Sequence, residues 1–147
     1  MRRTSAAIFV FLTVVALAMG KDKYQETIEQ LKARAEQAKP RDQVKLFMQV
    51  AEREVVDADQ LYNAGDFQRA QSLVEDAALS AEKAGEAAMN TNKDVKRTEI
   101  AVRKLSTRLQ DIWHSLAVED RPPVKTAADR LEKLDGNLLD HMFKRKK

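Results

Sequence analysis

The chain has 147 residues, with 26 basic and 23 acidic side chains, four glycines, three prolines and no cysteine. That length suits one ordinary domain. The near-balance of charge gives no ground for nucleic-acid binding, which shows as a strong basic excess. Without cysteine, the chain has no disulfides, cysteine-ligated zinc, iron–sulfur cluster, covalently attached haem or lipoprotein anchor.

Residues 1–20 have the three parts of a secretory signal. Arg2 and Arg3 form the positive end, Ala6 to Leu17 is an apolar run broken only by Thr13, and Ala18-Met19-Gly20 offers small residues for cleavage before Lys21. The run is shorter than the roughly 20 apolar residues that span a bilayer as a helix. The expected working protein is therefore a single helical domain, 21–147, exported to the periplasm or secreted.

Beyond the leader, apolar residues recur at spacings of three and four, the signature of helix, and no strand-like alternation occurs. A first helix over about 22–38 aligns Tyr24, Ile28, Leu31, Ala35 and Ala38. Pro40 interrupts it. A second, about 41–64, aligns Val44, Met48, Ala51, Val55, Ala58 and Tyr62; Gly65 closes it and Asp66 is placed to cap the next. The third, about 67–89, carries Phe67, Ala70, Val74, Ala77, Ala81, Ala84 and Ala88, a stripe small enough for a neighbouring helix to approach closely. Asn90-Thr91-Asn92 makes a turn. The fourth, about 93–118, has the cleanest seam, from Val95 through Val102, Leu105, Leu109 and Ile112 to Leu116. After Pro122-Pro123 a fifth, about 123–143, shows Val124, Ala127, Leu131, Leu134, Leu138 and Met142, with Gly136 as a place where it can kink. The expected fold is all-α, a four- to five-helix antiparallel up-and-down bundle. Seams with this spacing also suit crossing between two chains as a homodimer.

Residues 58–77 read Ala58, Leu61-Tyr62, Gly65-Asp66-Phe67, Ala70, Val74 and Ala77. This resembles the helix–turn–helix of a tetratricopeptide repeat, whose pattern sets a glycine–acid–aromatic turn before a helix of small residues. The resemblance implies one tetratricopeptide-like hairpin within the bundle. It departs from the pattern at Asp57 and Glu82, and no second copy follows at the expected period.

Chemistry is sparse. His114 follows Asp111 by one helical turn, half of a carboxylate–histidine metal motif, but His141 has Leu138 at that spacing, so the paired motif of a di-metal bundle fails. Small exported four-helix cytochromes hold haem by Met and His, for which His114 or His141 with Met48, Met89 or Met142 are the candidates; no haem-specific pattern accompanies them. Ser72, Ser80, Ser106 and Ser115 lie inside helical patterns, and no glycine-rich phosphate loop occurs. No cofactor, metal or catalytic residue is expected, and the protein is read as not an enzyme.

Charge distribution stands above this background. Residues 51–86 hold nine acids and three bases, whereas 87–147 hold fourteen bases and nine acids. An acidic hairpin beside a basic one favours correct pairing of helices. The functional alternative is an anionic partner met by Lys96, Arg97, Arg103, Lys104 and Arg108, or an anionic envelope surface met by the basic tail Lys144 to Lys147. Trp113, the lone tryptophan, sits one residue off the seam and reads as core or as an interface anchor. The preferred reading is an exported protein that mediates protein–protein interaction or envelope structure. Its interaction candidates are Trp113, that basic face, and the Tyr62–Phe67 corner. The alternatives are a carrier of haem or metal and a periplasmic chaperone-like dimer.

Overall fold

The structure, a computed structural model, describes residues 26–144. The expected leader, the first residues of the first expected helix, and Arg145 to Lys147 lie outside that range. Five α-helices follow one another: α1 (Ile28–Gln37), α2 (Pro40–Asn63), α3 (Phe67–Thr91), α4 (Val95–Ser115) and α5 (Arg121–Lys144), with a turn of 3-10 helix at Val118–Asp120. The fold is the all-α bundle that the periodicity implies, and no strand occurs among the described residues.

The helix ends follow local chemistry. Thr27 starts α1 with a capping box: its hydroxyl accepts from the Gln30 N–H at 3.2 Å while the Gln30 side chain accepts from the Thr27 N–H at 3.0 Å. Pro40 is the first residue of α2, where its missing N–H would have had no helical acceptor. Gly65 takes φ +81°, the left-handed region open to glycine, and Asp66 then caps α3 by accepting from the Arg69 N–H at 3.3 Å. Pro122 and Pro123 lack an N–H and fit only in a first helical turn. The chain therefore leaves helix at Ser115, three residues before the expected end, and starts α5 at Arg121. That helix continues unbroken through Gly136.

Consecutive helices are antiparallel, but the two long hairpins, α2–α3 and α4–α5, lie side by side in parallel register. Arg108 meets Asp59, Arg130 meets Glu82, Leu134 meets Gly85 and His141 meets Asn92, partners 48 or 49 positions apart in every case. The buried faces repeat accordingly. In α2 they include Val44, Phe47, Met48, Ala51, Glu54, Val55 and Ala58; a shift of 51 gives Val95, Thr98, Glu99, Val102, Leu105, Ser106 and Leu109, all buried in α4. A shift of 50 carries Val74, Ala77, Ala78, Ala81, Ala84 and Ala88 of α3 onto Val124, Ala127, Ala128, Leu131, Leu134 and Leu138 of α5. The second hairpin is thus close to a translated copy of the first. The short α1 packs against α2, and its side chains reach α3, with Lys32 against Asp76 and Glu36 against Lys83.

The small face of α3 is what lets α5 approach. Its buried positions from Ala77 to Ala88 are alanines apart from Ser80 and Gly85, and a Cβ added at Gly85 would lie 2.6 Å from Leu134 Cδ1. Phe67, which the periodicity places on the same stripe, is 38% exposed because it opens the helix at the turn. Gly85→Val should lower stability by roughly 1–3 kcal/mol through overpacking. In urea unfolding, combining it with Leu134→Ala should cost less than the two single losses added, because the two side chains contest one space.

Candidate interaction surfaces

The α2–α3 turn and the α4–α5 connection meet at one end of the bundle. There the Tyr62 and Phe67 rings lie with centroids 6.0 Å apart, Tyr62 buried beneath and Phe67 half-open. Burial and then the Asp120 carboxylate push the Tyr62 hydroxyl up to about 12. Trp113 is partly buried against the core. The Arg121 guanidinium covers its ring at 4.8 Å from the centroid, and the His114 ring meets it edge-on at 4.6 Å. Trp113 thus touches the core on one side while Arg121 covers its ring on another. Val118, in the 3-10 turn, is 73% exposed. The sequence reading passed over it, and the signal available was an apolar residue just before a double proline.

The basic candidates divide. Arg103 pairs with Glu99 on its own helix and approaches Asp135 of α5 at 3.9 Å. Arg108 reaches Asp59 of α2 at 3.7 Å. With the two-pronged Arg130–Glu82 bridge at 2.8 and 2.6 Å, these contacts join helices, two of them directly linking the acidic hairpin to the basic one. Lys96, Arg97 and Lys104 make no ion pair among the described residues. With Ile100 they line the solvent side of α4, and Lys93 stands in the turn just before it. The stripe leads from mid-helix to the end of the bundle opposite Trp113, so the sequence-chosen residues form two separate surfaces.

A buried ionic cluster joins α1 to the first hairpin. Glu54 is fully buried; Ser80 Oγ donates to one of its oxygens at 2.9 Å, and Lys32 Nζ lies 3.1 Å from the other and 3.3 Å from Asp76. Burial raises the Glu54 carboxyl above its ordinary range, opposed by Lys32 and Ser80. The Lys32 amine is penalised by burial, but Glu54 and then Asp76 outweigh this and leave it raised. Glu54 went unnoticed in the sequence, although its place between Ala51 and Ala58 put it on the buried face. A second buried carboxylate, Glu99, is the one held by Arg103.

Among the described residues no group of three or more histidines and carboxylates is placed to hold a metal ion. His141 hydrogen-bonds to the Asn92 side-chain oxygen at 2.7 Å, tying the end of α5 to the α3–α4 turn, where Asn92 and Asp94 both adopt left-handed backbone. His114, at the other end of the bundle, is occupied with Trp113. Compared with protein-family models, curated proteins and solved structures, the chain matches none.

Lys32→Met should strand the buried Glu54 carboxylate and cost about 3 kcal/mol at neutral pH. The deficit should shrink as pH falls, because the folded variant takes up a proton on Glu54 at a higher pH than the unfolded chain does. Adding Glu54→Leu should recover most of the loss and remove its pH dependence, as read by urea unfolding at pH 7 and pH 5.

Proposed function

We propose that the protein is an exported, non-enzymatic adaptor of the cell envelope that binds another protein through the end of the bundle bearing Trp113. One observation carries this reading: the Tyr62–Phe67 pair of one turn and Trp113 at the other stand at the same end of the bundle, with Arg121 over Trp113 and Val118 exposed. Tryptophan, tyrosine and arginine are the residues that dominate binding hot spots, and aromatic side chains present large areas with little conformational entropy to lose. The surrounding turns are fixed by the Gly65–Asp66 cap and the double proline, so the surface is held in place before a partner arrives. Export follows from the signal-like leader, and the tetratricopeptide-like reading of residues 58–77 fits a helical scaffold that offers such a corner.

A photo-crosslinking residue at Val118 or at Phe67 should give the same discrete adduct in the producing cell. The same residue at Leu79, which is equally open but lies mid-way along α3, should give none. Combining Val118→Asp with Phe67→Ser should abolish crosslinking from a probe at Glu119 while leaving the circular-dichroism melt unchanged. Equal adducts from Leu79, or none from either turn position, would remove the basis for a partner at this end. The mass of the exported protein should match residues 21–147.

A further inference from the structure

The opposite end of the bundle carries a second surface of different chemistry. Along the solvent side of α4 stand Lys96, Arg97 and Lys104, with Ile100 among them at 41% exposure and Lys93 in the turn just before the helix. A shallow depression of about 520 Å³ runs from Val95 and Lys96 to Leu139, Met142 and Phe143 at the end of α5. It adjoins another shallow depression that extends from Lys96 past Arg97 to Ile100. Phe143 is 64% exposed, and Lys144 follows it. The surface therefore mixes open apolar side chains with five bases, against the exposed acids Asp94 and Asp140, while Lys45 and Glu52 of α2, both exposed, share a neighbouring depression with Arg97. Glu99, which lines the same depression as Lys96, is buried and held by Arg103. The sequence adds Arg145, Lys146 and Lys147 immediately beyond.

We propose that this end of the bundle docks on an anionic lipid bilayer, with Ile100 and Phe143 entering the headgroup boundary and the surrounding lysines and Arg97 lying over the lipid phosphates. Three features favour a bilayer over an acidic protein. The surface is a helix side plus a helix end, and its depressions are open ones. Three of the four unpaired cations on and just before α4, Lys93, Lys96 and Lys104, are lysines, mobile point charges suited to a diffuse anionic surface and not to paired recognition of particular carboxylates. Apolar side chains interspersed with bases are the composition of peripheral interfacial anchors, where buried apolar area and attraction to anionic lipid act together. No helix among the described residues is long and apolar enough to cross a membrane, so the contact is one of lying on the surface. This inference stands independently of the partner proposed for the Trp113 end. Together they would make the protein a bridge between a bilayer and a protein.

The test is co-sedimentation of the mature chain with phosphatidylcholine vesicles, with and without phosphatidylglycerol, at low and high salt. Binding is expected only with phosphatidylglycerol and should weaken as salt rises. Each basic residue near the surface should contribute about fivefold in partitioning. Lys96→Glu with Arg97→Glu should therefore lower it by at least about 25-fold, and Ile100→Ser with Phe143→Ser by roughly tenfold. All four positions are exposed, and an unchanged melting curve would show that the variants fold. Val118→Asp with Phe67→Ser should leave vesicle binding as it was, which keeps this test separate from that of the partner site. Failure to bind phosphatidylglycerol vesicles at low salt would overturn the proposal. So would binding lost only on removal of residues 145–147 and indifferent to the α4 variants. If charge reversal weakens binding, the serine pair does not, and soluble polyglutamate binds as tightly as the vesicles, the surface is one for an acidic protein and the bilayer reading fails.

Discussion

The bundle depends on how closely α3 can be approached. This helix packs against α2 and α5, and it admits them because its buried positions are mostly alanine, with Gly85 where Leu134 comes nearest. Helices whose contact residues are small sit at the short end of interaxial distances. Larger side chains on α5 then fill the space that the alanines leave: Leu131, Leu134 and Leu138 are all buried. A small face on one helix and a leucine face on the other is a division of volume between partners, and it fixes which helix lies beside which.

Charge completes that pairing and leaves a remainder. The acidic first hairpin and the basic second one are joined where Asp59 meets Arg108 and Glu82 meets Arg130. Exposed pairs of this kind contribute little to stability, yet they penalise a slipped register in which like charges would face one another. Once these bases are assigned to holding the hairpins together, the α4 cations without an ion pair stand out as a set. A charge asymmetry that looks uniform in sequence thus has two parts, one turned inward to assembly and one turned outward.

The sequence reveals each helix, its buried face and most of its ends, because periodicity, glycine, proline and capping residues act within a few positions of one another. It does not reveal neighbours. A seam shows that a helix has a buried side without saying whether the next hairpin closes a ring or stacks in parallel, and here it stacks. Glu54 was hidden for a related reason: a carboxylate is assigned to solvent unless its partners are known, and Lys32 and Ser80 lie 22 and 26 residues away in the chain. The candidate surfaces were legible as residue types. Their separation into two ends was not, since Lys96 and Trp113 share one helix and only its length, about 1.5 Å per residue, holds them apart.

The position of Lys32 has a consequence for how the N-terminal helix comes and goes. Lifting α1 away takes the ammonium from Glu54 in the same movement that admits water to the carboxylate, so lost attraction and regained hydration largely offset each other. The ionic cluster then specifies where α1 docks without strongly resisting its departure. What holds the latch shut is chiefly two apolar side chains, Leu31 and Ala35, the only buried residues of that helix. A ten-residue segment secured so lightly belongs to the low-energy end of the molecule's local openings. It can detach as a unit while the two hairpins remain locked through α3.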